Sequence, residues 1–92
     1  MMQRLNQDFE EEDLILGIDP GQRTGLSVFY YGKEIESSFH SSVEELVFHI
    51  IQILGGLRAK RKIVKIGNGN MAIAKQIVTM LNLNFCSSFE LE

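Results

Sequence analysis

Cysteine, proline and tryptophan are scarce in this sequence of 92 residues, which has one Cys, one Pro and no Trp. A single Cys86 cannot form an internal disulfide, so the class of disulfide-stapled secreted domains is excluded. No apolar run approaches the ~18 residues that a membrane-spanning helix needs, and no signal-type segment opens the chain. These absences predict one domain in the reducing cytoplasm without a membrane partner.

The charge balance is slightly acidic, with 12 Asp and Glu against 9 Lys and Arg and a formal net charge of -3. A strongly basic nucleic-acid binder is therefore excluded, although a local basic patch can act within an acidic chain. The densest cations are Arg58, Lys60, Arg61 and Lys62. We interpret them as cations near a helix C-terminus and in a solvated loop, in preference to a nucleic-acid patch.

A buried strand followed by a tight hairpin is predicted at residues 14–26, which read LILGIDPGQRTGL. The apolar run at its start has strand length and ends on Asp19, after which Pro20 and Gly21 break the strand. A carboxylate there is costly to bury unless it is paired or binds a metal, and ligands collect at this edge of open α/β sheets. Asp19 is therefore the leading candidate for a catalytic, metal-binding residue.

Periodicity predicts four further strands and two helices. The strands cover residues 25–31, 33–40, 63–67 and 85–89, and the helices run over residues 43–56 and 71–81. A turn at Gly32-Lys33 joins the second and third strands, and Cys86 is expected to be a small buried hydrophobe. The order is βββαβαβ, and the helical crossover makes the fourth strand parallel to the first.

The loop between the fourth strand and the second helix consists of Gly67, Asn68, Gly69 and Asn70. Its backbone N–H groups and the positive helix end could receive an anion or a phosphate. Glycines and asparagines are equally typical of a plain turn in which Asn70 caps the helix. Both interpretations stay open on the sequence alone.

The hairpin next to Asp19 supplies two more candidates for phosphate or nucleic-acid binding, Arg23 and Thr24. A guanidinium at this place could meet a phosphate, although a hairpin tip is also where a solvated Arg is common. Thr24, with Gly25, is also expected to shape the hairpin. His40 and His49 have no partner nearby in the sequence and are interpreted as surface or boundary histidines.

The segment GIDPGQRTGLSVF, residues 17–29, resembles the first-strand motif of the ribonuclease H-like superfamily. It is most similar to the RuvC-like Holliday-junction resolvase and YqgF-like branches, in which Gly-Ile-Asp-Pro-Gly and Thr-Gly recur. The resemblance implies a mixed five-stranded sheet of order 3-2-1-4-5, with the second strand antiparallel and helices flanking the sheet. It also implies that Asp19 matches the family's first metal-binding carboxylate.

The chemistry of that family uses two divalent cations, Mg²⁺ or Mn²⁺, which several carboxylates hold around the scissile phosphate. By the resemblance, a second acid should stand near the end of the fourth strand, where this sequence has the Gly-Asn loop. Glu90 is the nearest match for a third acid. We therefore expect weak metal binding at most.

Three functions are compatible with these features. The favoured one is a ribonuclease H-like module involved in DNA or RNA binding or processing, without catalysis by this chain alone. The first alternative is a metal-dependent nuclease or resolvase-like enzyme that uses Asp19 and that would act on a symmetric junction as a homodimer. The second alternative is a phosphate-binding lobe resembling the actin-like ATPases, which need two lobes where this chain has room for one.

The two ends fall outside the predicted domain, which covers residues 14–90. Residues 1–13 lack periodicity and end in an acidic block, so they are expected to form a flexible lead-in. Leu91 and Glu92 match a dipeptide that cloning often leaves before a purification tag. Such an end is compatible with a domain truncated at its C-terminus, in which case further acidic ligands would lie beyond Glu90.

Overall fold

The computed structural model describes residues 13–85 and 90–92. Its elements are β1 (Asp13–Asp19), β2 (Thr24–Tyr30), β3 (Lys33–His40), α1 (Val43–Gly56), β4 (Arg61–Ile66), α2 (Met71–Asn84) and β5 (Glu90–Leu91). The predicted element order is confirmed. Residues 1–12 of the predicted lead-in lie outside the described part, and Asp13 opens β1.

The five strands form one mixed sheet in the order β3-β2-β1-β4-β5. β2 is antiparallel to both of its neighbours, whereas β4 is parallel to β1 and to β5. The predicted strand order and the antiparallel second strand are therefore confirmed. Because parallel strands end at the same edge of a sheet, the C-terminal ends of β1 and β4 lie side by side.

Both helices pack on one face of this sheet and share its apolar core with the central strands. Every second residue of β1 points into that core, because side chains alternate along a strand. The core contains Leu14, Leu16, Ile18, Leu26, Val28 and Val64 from the sheet, and Leu46, Ile50, Leu54, Ile77 and Leu81 from the helices. The wide apolar stripe of α1 is thus the surface that covers the sheet.

The helix starts follow the expected capping chemistry. The Ser42 side chain accepts a hydrogen bond from the Glu45 N–H at 3.3 Å, and Glu44 and Glu45 stand in the first turn of α1. Carboxylates there interact favourably with the positive end of the helix dipole. No helix in the described part of the chain is long and apolar enough to cross a membrane.

Several predicted boundaries were wrong, among them the three that follow. The β2–β3 turn lies at Tyr31-Gly32, with φ of 54° and 80°, because a two-residue hairpin loop needs both central residues in the left-handed region. α2 reaches Asn84, whose side-chain amide donates to the Met80 carbonyl at 2.8 Å and so satisfies a helix-end acceptor. Phe85 caps this helix and does not start the fifth strand, which is described at Glu90–Leu91; Cys86 and the rest of residues 86–89 lie outside the described part.

The packing of α2 generates a test with a matched pair of variants. Leu81 is fully buried against the sheet, whereas Leu83 on the same helix is 77% exposed. Leu81→Ala should lower the free energy of unfolding by about 2–5 kcal/mol, since it leaves a cavity, and Leu83→Ala should change it by less than about 0.5 kcal/mol. Urea denaturation followed by circular dichroism measures both, and equal losses would contradict the assigned face of α2.

Candidate functional site

Two glycines bring neighbouring chain segments against Asp19 at the C-terminal end of β1. Gly25 is paired with Asp19 across the β1–β2 ladder, and an added Cβ at Gly25 would lie 3.7 Å from the Asp19 Cβ. On the other side the Gly67 N–H donates to the Ile18 carbonyl at 2.9 Å, and an added Cβ there would lie 3.9 Å from Asp19 Oδ1. The sequence candidates Asp19 and Gly67 are therefore brought together.

The Asp19 side chain is exposed and forms no hydrogen bond or ion pair with any other described residue. A carboxylate in this state keeps its hydration and does not stabilise the fold through a partner. It is available to an external cation or hydrogen-bond donor. The ligand-binding role that the sequence predicts for Asp19 stays a prediction.

The remaining hairpin candidates differ in how they are used. Thr24 is buried and its hydroxyl is 3.4 Å from both the N and the O of Gly21, so it is engaged within the hairpin. Arg23 is exposed, and its guanidinium carbon lies 5.0 Å from the centre of the Phe39 ring, a cation–π arrangement. Arg23 has no carboxylate partner among the described residues. Its charge is thus not neutralised by any residue of the described part of the chain.

The loop after β4 divides into a structural and an exposed part. The Asn70 side chain accepts from the Ile73 N–H at 3.1 Å and caps α2, as the turn-and-cap interpretation requires. Asn68 and Gly69 are exposed, and an added Cβ at Gly69 would lie 3.9 Å from the Pro20 carbonyl. Asn68 is therefore an exposed loop side chain without a capping role, and it directly follows Gly67 in the sequence.

Glu90 is engaged elsewhere and does not join Asp19. Both of its carboxylate oxygens lie 3.1 Å from the Arg61 guanidinium, and Glu90 is paired with Ile63 in the β4–β5 ladder. Ile63 is in turn paired with Ile15, which lies four residues before Asp19 on β1. Glu90 is therefore about 13 Å from Asp19 when measured along the strands. The hydrogen bond to Arg61 lowers the pKa of Glu90, so its ionised form persists to more acidic pH and is lost only as the pH falls through that lowered pKa.

The basic cluster is partly used inside the molecule. Arg61 pairs with Glu90 and also lies 3.6 Å from Asp13 Oδ2, and its pKa is raised chiefly by the hydrogen bond to Glu90. The Lys62 ammonium donates to the Leu54 carbonyl near the end of α1. The Lys62 contact agrees with the interpretation as cations near a helix C-terminus, because a cation there meets the unsatisfied carbonyls, whereas Arg61 pairs with carboxylates of β1 and β5.

A shallow hollow of about 700 Å³ opens on the sheet face opposite the helices, next to this edge. We call it the edge hollow; its lining includes Gly17, Asp19, Gly25, Ser27, Phe29, Ser37, Phe39, Lys65, Gly67 and Glu92. Glu92 extends the pairing of β5, since its N–H donates to Val64 at 2.8 Å, and its carboxylate lies 3.8 Å from Lys65 Nζ. Sequence reasoning set Glu92 aside as a cloning remnant and missed its place in this hollow.

The donor set at this edge does not fit a pair of divalent cations. Asp19 is one carboxylate, the β4 end supplies Asn68 in place of a second acid, and Glu92 lies beside a lysine that competes for its charge. Within residues 13–85 and 90–92, no group of three His, Cys, Asp or Glu side chains is arranged to bind a metal ion. Two Mg²⁺ ions need several carboxylate oxygens, so no hydrolytic step follows from these residues.

Sequence reasoning also missed a histidine pair between β3 and α1. The rings of His40 and His49 have centroids 5.6 Å apart, His49 Nε2 is paired with the Glu36 carboxylate, and His40 Nε2 is 2.9 Å from the Ser38 hydroxyl. These contacts lie on the helix-covered face, away from Asp19. The only signal in the sequence was the alternation that places Glu36, Ser38 and His40 on one face of β3.

Comparison of the chain with family models, with curated proteins and with solved structures found no significant match.

The isolation of the Asp19 carboxylate leads to a prediction about stability. Asp19→Ala should shift the melting temperature by less than about 4 °C, because an exposed side chain without a partner contributes little to folding. Differential scanning calorimetry checks this, with Asp19→Asn as the variant that removes the charge and keeps the volume. A fall of about 10 °C or more in either variant would identify Asp19 as a structural partner instead.

Proposed function

We propose that this chain is a ribonuclease H-like module of the RuvC-like type that binds nucleic acid and does not cleave it unaided. The strand order with its antiparallel second strand, and the hairpin that follows Asp19, support this assignment. The observation that carries the non-catalytic part is the composition of the Asp19 edge. One exposed carboxylate stands there, and the loop after β4, where the resemblance implies a second acid, offers Asn68.

Support for nucleic acid as the ligand comes from the groups around that carboxylate. Arg23 offers a cation that no described carboxylate neutralises, and a guanidinium is well shaped for a phosphate. Gly25 and Gly67 keep the surface low on both sides of Asp19, so an extended backbone can approach the sheet edge. A single carboxylate can also accept a hydrogen bond from a base edge or a ribose hydroxyl.

A metal-dependent nuclease is the second candidate, and a specific observation favours it. Asp19 is exposed, and Glu92 lines the same hollow, so two acids stand on one surface. A one-metal site could use both if Glu92 left Lys65. Such an enzyme would cleave nucleic acid in the presence of Mg²⁺ or Mn²⁺ and lose that activity in Asp19→Asn.

The proposed function predicts binding without cleavage. The purified chain should bind labelled DNA or RNA in fluorescence anisotropy and should leave branched DNA, RNA–DNA hybrid and single strands intact with Mg²⁺ present. Arg23→Gln should weaken binding and lower the slope of log affinity against log salt by about one, as expected when one phosphate contact is lost. Lys75→Gln, a surface change on α2, is the matched control and should leave both quantities unchanged.

A gain of metal affinity tests the missing ligand. Asn68→Asp restores a carboxylate at the β4 end and should tighten Mn²⁺ binding in calorimetry. Asn70→Asp adds the same charge within the same loop but keeps the capping role, so it should have a smaller effect. Metal-dependent cleavage by the unmodified chain, abolished by Asp19→Asn, would reject the non-catalytic assignment in favour of the nuclease.

A further inference from the structure

The floor of the edge hollow is a row of small residues that crosses the sheet. Gly17, Ser27 and Ser37 are paired with one another across β1, β2 and β3, and Lys65 continues the row on β4. Because hydrogen-bonded strands lie about 4.8 Å apart, this row is about 14 Å long. It therefore forms a floor of hydroxyls and bare backbone that ends in a cation.

Two aromatic rings flank this floor on the same face. Phe39 follows Ser37 by two residues and is paired with Gly25, and Phe29 follows Ser27 by two residues on the adjacent antiparallel strand. Phe39 is 64% exposed and Phe29 is 37% exposed. Since the two rings stand on rows four residues apart, their separation along the strands is about 13 Å, roughly two nucleotides of an extended strand. The helix-covered face has no such arrangement in residues 13–85 and 90–92, where its central positions are occupied by the core.

Two cations, Arg23 at the Phe39 ring and Lys65 in the lining of the hollow, are placed for a polyanion whose bases stack on the rings. Arg23 stands over Phe39 at 5.0 Å, so a phosphate at the guanidinium would leave the adjoining base within reach of the ring. Lys65 lies at the opposite end of the floor, 3.8 Å from the Glu92 carboxylate. A ring with a cation in contact with it complements a base and its phosphate, whereas an apolar partner surface offers no anion to Arg23.

We infer that the edge hollow binds single-stranded nucleic acid by stacking one base on Phe39 and a second on Phe29, with Arg23 on the phosphate next to the base on Phe39. This inference rests on the proposed function and narrows its ligand to single strands. The bases of a duplex are stacked on each other inside the helix, so a duplex can offer the hollow its phosphates but no free base faces. Single strands should accordingly bind more tightly than duplexes of the same sequence.

A fluorescent variant tests the stacking directly, because the chain has no tryptophan of its own. Phe39→Trp places an indole at the hollow, and stacking against a base should quench its emission on addition of a 12-nucleotide single strand. Phe48→Trp is the matched control, since Phe48 is 63% exposed but lies on α1. Its emission should not change. An abasic strand of equal length carries the phosphates without the bases and should not quench the indole of Phe39→Trp.

Affinity measurements complete the test. Phe39→Ala and Phe29→Ala should each weaken binding of the single strand about fivefold to a hundredfold, the range for one lost base–aromatic stack, whereas Phe48→Ala should not. Circular dichroism verifies that the variants fold.

Three other outcomes would overturn the inference. Binding of duplex or branched DNA with unchanged emission from Phe39→Trp and unchanged affinity in Phe39→Ala would reject the stacking site and leave the proposed function standing. Absence of binding to any nucleic acid would reject both. A dimer of this chain that dissociates in Phe39→Ala would assign the hollow to a second copy.

Discussion

The parallel ladder between β1 and β4 is the interaction on which the rest of the molecule depends. It is continued past the end of β4 by the hydrogen bond from the Gly67 N–H to the Ile18 carbonyl at 2.9 Å. This hydrogen bond holds the C-terminal ends of β1 and β4 together and keeps the loop after β4 next to Asp19. Because β3 and β4 run in the same direction, the chain has to cross back over the sheet between them, and α1 supplies both this crossover and the cover of the core.

The second constraint is that both helices pack on one face of the sheet, which leaves residues of the opposite face exposed to a ligand. Both helices cover the same side of the sheet, so the residues that alternate with the core positions of β1 and β2 face the other way. Near the starts of β1 and β4 this second face is buried, as Ile15 and Ile63 are 8% and 1% exposed. Toward the Asp19 edge it is open, with glycines and serines between the two phenylalanines. The site thus combines a hydrogen-bonded sheet with a low floor of glycines and serines between two aromatic rings.

Much of this could be predicted from local patterns. Alternation and apolar periodicity define the first four strands and both helices, and the strand that ends on Asp19 before Pro20-Gly21 locates the edge. Asn70 could be recognised as a cap because capping depends on a few consecutive residues. These features have their causes within one turn or one strand of the chain.

What could not be predicted depends on residues far apart in the sequence. Glu90 looked like a third metal ligand, but its partner Arg61 lies 29 positions away and only the β4–β5 pairing brings the two together. Thr24 looked available, whereas its hydroxyl is engaged within the hairpin. Phe29 and Phe39 could equally have been core residues, because alternation within a strand does not tell which face the helices cover. That the two rings share a face follows from the β2–β3 register, which shifts between Val28 and Phe29.

The measurement that most directly tests the proposed binding surface is the map of backbone amide shifts in ¹H–¹⁵N spectra as a single-stranded oligonucleotide is added. The largest changes should fall on Gly17, Gly25, Ser27, Phe39 and Gly67, which line the edge hollow. Amides of α1, on the covered side of the sheet, should stay in place. Shifts confined to α1 or to residues 58–62, with the hollow unaffected, would contradict the assignment of the Asp19 edge and its open sheet face as the nucleic-acid-binding surface.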